Sequence, residues 1–386
     1  MTIQACIIYD KEFPEKASRI DEVIRSFKLP IGKLRHSDRR EPYVHTDINI
    51  HVGVPVYSAI GWAHINVFIR DDWLWNEEAF QPYMKSFDAI VRLEDVNKGL
   101  FEGFKAILEL VSAKKPKGIV HCPPILHSDD CPNISIVTPT YNRRDLIDIA
   151  FHNILSTDYP RSQIEWVIIE DNEDSTKMAS DKVMNFQMNC PDVKIKYIPI
   201  EGKMNIGQKR NIGVENASHD IVLFMDDDDH YPVTSFRRRV AWLLKGWNKN
   251  ALIACCTTIA LYDLKRGVSA VNVPPWNLPL GKRVSEATLT FKKEAWADRK
   301  FNEEVTVSEG DEWIHGREEQ VIEIVPQQII VAFSHGGNSS GRRVPPTGAA
   351  VSCFWGFPKE YLTFVHRLVG VEIEEEKEKA GAKEKK

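Results

Sequence analysis

The 386-residue chain contains no run of 18 consecutive apolar residues, which excludes a helix long enough to span a bilayer. Its seven cysteines form no CxxC pair, and their odd number and scattered spacing describe no disulfide framework. Cys255 and Cys256 lie in an apolar run and are expected to be buried thiols. The histidines show no zinc-like spacing, and His36, His45 and His51 stand alone. Positive charge is not in excess: the formal net charge is −5, which argues against a nucleic-acid-binding surface. No GxGxxG and no internal repeat are visible. The first residues have neither a basic n-region nor an apolar core, so no secretory signal is expected. A reducing, cytoplasmic location is the expectation that follows.

What is present fits an α/β protein. Apolar residues make up 43% and charged residues 27%, the balance of a soluble globular chain, and the length has room for two domains. Strand-like stretches at 3–9, 43–52, 65–69, 89–93 and 118–121 alternate with helix-like ones at 12–27, 77–84 and 100–113. A polar basic loop is expected at 35–40, and the Pro- and Asp-rich stretch 122–132 suits a linker. A second pattern starts at Asn133. Its strands are expected at 134–137, 166–170, 193–198 and 221–225, and its helices before Leu155, at 177–188, 207–217 and 236–244. An apolar run at 252–261 and candidate strands at 288–291 and 329–333 follow. The division expected is 1–130, 131–370 and a charged, disordered tail at 371–386.

The most informative stretch is Ile221-Val-Leu-Phe-Met-Asp-Asp-Asp-Asp-His230, an apolar run that meets four carboxylates, with Pro232 behind it. The apolar part predicts a buried parallel strand, and the acids then sit at its carboxyl end, where open α/β sheets bind ligands. Two carboxylates ~4 Å apart repel by about 1 kcal/mol in water and roughly 4 at an effective dielectric near 20. A packed cluster therefore favours a divalent cation, Mg²⁺ or Mn²⁺ with oxygen ligands. A solvated acidic loop is the plainer reading of such a run taken alone.

Three more strand-end motifs precede it. Ile134-Ser-Ile-Val-Thr-Pro-Thr-Tyr-Asn-Arg143 ends a strand in a Pro turn beside a Tyr ring, a platform for a flat base. Trp166-Val-Ile-Ile-Glu-Asp-Asn172 ends in acids that can accept hydrogen bonds from a base or ribose. Asn205-Ile-Gly-Gln-Lys-Arg-Asn-Ile-Gly213 places Lys209 and Arg210 on a short helix within reach of a diphosphate. Each alone fits an ordinary turn, cap or solvated helix face; their order does not.

In that order the motifs resemble family 2 glycosyltransferases of the GT-A fold, from about Asn133 to His230 and more loosely to Arg343. The resemblance implies a GT-A domain preceded by a smaller Rossmann-like α/β domain. It also implies a metal-dependent, inverting transfer of sugar from a nucleoside-diphosphate sugar to a glycan or glycoconjugate hydroxyl, with Mn²⁺ or Mg²⁺. It places Pro139, Thr140 and Tyr141 at the base, Asp171 (or Glu170) at base or ribose, and Arg210 near the diphosphate. Asp226 and Asp228 become the DxD motif, with Asp227 and Asp229 held in reserve because four acids leave the register open by one. The family's acidic base motif falls at Ser308-Glu-Gly-Asp-Glu-Trp313, where Gly310 interrupts the acid pair, so Glu309 and Asp311 both stand as base candidates. His335 would be a third metal ligand, Arg342 or Arg343 a phosphate clamp, and Trp276 an acceptor-stacking ring.

Within the first unit, 53–57 and 62–75 resemble fragments that precede GT-A domains in some sugar transferases of large DNA viruses. Two other readings stay open. A sugar-1-phosphate nucleotidyltransferase would carry glycine in the first loop, which Thr138–Arg144 lacks. A nucleotide-sugar-binding pseudoenzyme would lack a base, and Gly310 points that way.

Overall fold

The structure is a computed structural model that describes residues 3–10, 13–26, 31–38, 46–53, 63–71, 87–97, 105, 125–245, 250–272, 274–275, 278–324, 326, 328–336, 338 and 357–371. Five strands, β1 (Ile3–Tyr9), β2 (Ile31–Asp38), β3 (Thr46–Gly53), β4 (Ala63–Arg70) and β5 (Ala89–Arg92), form a parallel sheet in the order β2-β1-β3-β4-β5. This is one of the two common doubly wound orders. Helix Pro14–Ser26 buries Ala17, Ile20, Val23 and Ile24, the helical spacing that packs one face onto β1 and β3.

The expected loop at 35–40 is instead the end of β2. This strand is polar because it is an edge: among the described residues it pairs only with β1, and Lys33, Arg35 and His36 face water. Backbone pairing, which the side chains do not announce, makes it a strand. The expected elements at 77–84, 100–113 and 118–121 lie outside the described residues, residue 105 apart.

The second sheet has seven strands in the order β14-β10-β13-β9-β6-β7-β8. These are β6 (Ile134–Tyr141), β7 (Ile164–Asn172), β8 (Lys194–Glu201), β9 (Ile221–Phe224), β10 (Ile253–Cys255), β13 (Thr290–Lys292) and β14 (Val321–Glu323). β9, β6, β7 and β8 run parallel, and β13 lies antiparallel between β9 and β10. Side chains alternate between two buried cores. Ile136, Trp166, Ile168 and Leu223 enter one, while Val137, Val167, Ile169, Val222 and Phe224 enter the other. Leu126 and Cys131, from the expected linker, pack into the first of these cores.

A small sheet, β12-β11-β15, stands beside the large one, built from β11 (Ile259–Asp263), β12 (Val268–Asn272) and β15 (Val331–Ser334). Helix Lys359–Leu368 covers it through Tyr361 and Val365. The apolar run 252–261 therefore divides between two sheets rather than forming one strand. Helix Ile206–Asn216 lies close against β6 and β7, because a Cβ at Gly213 would stand 2.3 Å from Val137 Cγ1. That close packing fixes where Lys209 and Arg210 emerge.

Candidate active site

β6 extends beyond the expected turn, through Pro139 to Tyr141. Its partner β9 ends opposite Val137, so past that point one side of β6 is an edge, where proline's missing N–H costs nothing. Met225 N–H donates to Val137 O at 3.0 Å, and the chain then leaves the sheet. The acidic run crosses to the small sheet, where His230 pairs with Val331 in an antiparallel bridge. The four carboxylates thus span the seam between two sheets. Arg239, fully buried, holds this exit by donating to Phe224 O (2.9 Å), Leu289 O (2.7 Å) and Thr290 Oγ1 (2.8 Å).

The four acids have four different surroundings. Among the described residues, carboxylate oxygens of Asp226, Asp228 and Asp229 lie within 4.8 Å of one another. Asp228 Oδ2 meets Arg143 Nη1 (2.9 Å), His335 Nε2 (2.9 Å) and Asn338 Nδ2 (3.3 Å). Asp229 Oδ1 accepts the Phe333 N–H at 2.9 Å. Asp227 stands outside this cluster, accepting from Thr140 Oγ1 and, at 2.9 Å, from the same Arg143 Nη1 that meets Asp228. Burial pushes Asp227 up to about 6, helped by Asp228 and opposed by Arg143. Burial also works against the Arg143 charge, but Asp227 and Asp228 outweigh it and raise its pKa. An all-oxygen set with a neighbouring imidazole fits a hard divalent cation such as Mg²⁺ or Mn²⁺.

Arg143, Asp226, Asp228 and Asp229 line a cavity of about 820 Å³ at the carboxyl ends of β6 and β9. Pro139, Thr140 and Tyr141 form part of one wall. The Tyr141 ring has Lys203 Nζ at 5.0 Å and Lys209 Nζ at 5.6 Å from its centroid, and its hydroxyl donates to Glu173. Asp171 stands behind this wall, fully buried, accepting from Lys209 Nζ (2.7 Å) and Met204 N–H (2.6 Å). Glu170 is a structural clamp, holding Ala179 N–H (2.9 Å) and Tyr197 OH (2.7 Å).

The opposite wall gathers acids around one guanidinium. Arg210 stacks on the Phe224 ring at 4.2 Å, donates to Glu309, and stands 3.5 Å from Asp226 Oδ1. Burial disfavours its charge, but Glu309, Asp226 and Glu286 prevail and raise its pKa. Glu286 lines the same wall and accepts the Gly310 N–H at 3.2 Å. Desolvation first, then the Glu309 charge, pushes Glu286 up to about 8. Tyr231 ties the two walls together: its buried hydroxyl accepts the Asp226 N–H (2.9 Å) and donates to Ala287 O (3.0 Å).

Of the two base candidates, Glu309 lines the cavity and Asp311 does not. Asp311 packs instead against the Leu280–Lys282 turn, close enough that a Cβ at Gly281 would stand 2.9 Å from Asp311 Oδ1. Helix Gly310–Ile314 explains this, since residues two apart point roughly 200° away from each other. Arg342, Arg343 and Trp276 lie outside the described residues. Glu286 and Tyr231 carry no recognisable motif. Arg143 was visible as the last residue of the first motif but not as the partner of two acids.

Residues 135–269, which include the core strands of the seven-stranded sheet, match the model of glycosyl transferase family 2. Among curated proteins it is 26% identical over 190 residues to the GalNAc(5)-diNAcBac-PP-undecaprenol beta-1,3-glucosyltransferase of Campylobacter jejuni, covering 48% of this chain and 59% of that one. It is 25% identical over 114 residues to the putative teichuronic acid biosynthesis glycosyltransferase TuaG of Bacillus subtilis, covering 30% and 43%. The chain thus spans less than two thirds of these relatives' length. A solved mannosyltransferase from Pyrobaculum calidifontis, in complex with GDP-Man and Mn²⁺, superposes with a TM-score of 0.41 at 18% identity, over 62% of this chain and 66% of that one. No helix among the described residues is long and apolar enough to cross a membrane.

Proposed function

We propose that this chain transfers a sugar from a nucleoside-diphosphate sugar, a UDP- or GDP-sugar, to a hydroxyl of a glycan or glycoconjugate, with inversion at the anomeric carbon. The observation that carries the reading is the convergence of Asp226, Asp228 and Asp229 within 4.8 Å on a family 2 domain, beside a cavity also lined by Lys209 and Arg210. Asp226 and Asp228, with Asp229 and His335 beside them, would hold Mn²⁺ or Mg²⁺. When bound, the cation neutralises charge on the leaving diphosphate.

The chain's own groups do the rest. Tyr141, with Pro139 and Thr140 beneath it, offers a face for the base. Asp171 sets Lys209, and Lys209 with Lys203 makes that end of the cavity positive. Arg143 balances Asp227 and Asp228, keeping the run from repelling itself apart. Asp227 acts through Thr140 and Arg143 rather than on the diphosphate directly. Arg210 joins the donor side to the acidic wall of Glu309 and Glu286 on the acceptor side; Asp311 backs that wall. The five described cysteines are all buried free thiols, which suits a reducing, cytoplasmic location. The five-stranded unit, divided from the transferase unit near residue 130, is a platform without a catalytic constellation in its described residues.

The test is release of UDP or GDP from a panel of UDP- and GDP-sugars. Turnover should need Mn²⁺ or Mg²⁺, stop on chelation, return with metal, and fall about 1000-fold or more in Asp228→Ala. Turnover that survives chelation or Asp228→Ala contradicts the metal role. Donor binding without release under any condition favours a nucleotide-sugar-binding pseudoenzyme, and nucleoside triphosphate consumption favours a nucleotidyltransferase.

A further inference from the structure

Resting on the transferase reading above, we infer that Glu286 is the carboxylate that takes the proton from the attacking hydroxyl. Three observations meet at this side chain. First, it lines the cavity on the wall that carries Glu309, while Asp311 is turned out toward the Leu280–Lys282 turn. Second, Glu309 is occupied: its Oε1 accepts the Arg210 Nε–H, and both side chains are almost fully buried. That carboxylate oxygen is engaged by the guanidinium rather than offered to an incoming hydroxyl.

Third, Glu286 fills the space above Gly310. A Cβ added at Gly310 would stand 3.1 Å from Glu286 Oε1, and the Gly310 N–H already donates to that oxygen. Gly310 is where the acidic pair in the sequence is interrupted. The missing second acid is therefore present in space, supplied by the turn Glu286–Thr288 instead of by helix Gly310–Ile314. Glycine at 310 lets the helix start pack against both Val284, whose Cγ1 would stand 2.5 Å from an added Cβ, and that carboxylate.

The charge balance agrees. The charges of Glu309, Asp226 and Glu286 all act on the Arg210 guanidinium. Burial and the neighbouring Glu309 charge raise the proton affinity of Glu286, as a base working near neutral pH requires. In the step, an O–H bond of acceptor or water breaks as its proton passes to Glu286. The freed oxygen lone pair forms the bond to the anomeric carbon, and the bond from that carbon to the diphosphate oxygen breaks, its electron pair leaving with the nucleoside diphosphate. No oxidant or further reactant is required.

The experiment uses the full chain with Mn²⁺ and the UDP- and GDP-sugar panel, with water as acceptor. Glu286→Gln should lower nucleotide release by about 100-fold or more. Its affinity for UDP or GDP with Mn²⁺ should stay within about 2-fold, since the changed group faces the acceptor. In the wild type the rate should rise with pH toward about 8, as Glu286 loses its proton, and Glu286→Gln should lack this rise. Glu286→Ala combined with Gly310→Asp, and with Val284→Ala to make room for the new Cβ, returns a carboxylate from the other element and should recover at least about tenfold over the Glu286→Ala, Val284→Ala variant. A purely structural role would show no such recovery. Turnover in Glu286→Gln within a few-fold of wild type overturns the assignment alone. Absence of nucleotide release from every donor by the wild type overturns the transferase reading and this assignment together.

Discussion

The carboxyl ends of β1 and β4 lead into Asp10 and Asp71, and those of β7 and β9 carry Asp171 and the 226–229 run. Both sheets are doubly wound in style, yet the charges meet different fates. Asp71 is neutralised within its own unit by Lys16 at 2.6 Å, an ion pair near the surface. The 226–229 run is faced by a second wall: β15 draws His230 across, and the 285–309 stretch brings Glu286 and Glu309 opposite Arg210. A row of acids at a sheet edge becomes a site when another layer closes over it. Desolvation then turns modest repulsions into altered proton affinities, as at Glu286 and Asp227.

Three substitutions test this contrast beyond loss of the cation and of Glu286. The largest effect is expected from Gly213→Val. Its Cβ would clash with Val137 at 2.3 Å and Ile169 at 2.7 Å, forcing helix Ile206–Asn216 off the sheet. Overpacking of this kind costs about 1–3 kcal/mol. The variant should unfold at lower temperature and bind UDP or GDP at least about tenfold more weakly, since Lys209 and Arg210 move with the helix. Normal nucleotide affinity would show that the helix position is unimportant.

A smaller effect is expected from Tyr231→Phe. Losing the hydroxyl leaves the Asp226 N–H and Ala287 O without their shared partner, a penalty of about 1–3 kcal/mol. Nucleotide release should slow by about tenfold with donor KM little changed, because the two walls lose their mutual alignment. A change in KM alone would place Tyr231 on the donor side only. The smallest effect belongs to Lys16→Ala. A partly exposed ion pair contributes at most about 1 kcal/mol, and nucleotide release should stay within a factor of two. A large loss of turnover would mean that the first sheet takes part in catalysis.

Much of the scaffold is legible in the residues because it depends on local periodicity. The fully apolar Ile221–Phe224 and Trp166–Ile169 segments have no exposed face to assign, so they announce buried parallel strands. β2 does not, since its partnership with β1 is backbone pairing and its Lys33, Arg35 and His36 side chains face water. The 252–261 run reads as one element because periodicity cannot tell where a chain changes sheets. The break comes at Thr257, whose hydroxyl donates to Glu323. In the acidic motif, spacing admits both Glu309 and Asp311, while the turn of a helix faces only one of them into the cavity.

The sequence alone determined a chain of two α/β patterns, the acids at the end of β9, and the ordered motifs that mark a family 2 domain. These are properties of neighbouring residues, fixed by strand and helix periodicity and by charges adjacent along the chain. Tertiary structure decided which of the four aspartates converge, that Asp227 stands outside their cluster, and that Arg210 engages Glu309. It alone brought Glu286 into the space beside Gly310. Those relations join residues distant in sequence, and their energies depend on burial and distance, which no local pattern records.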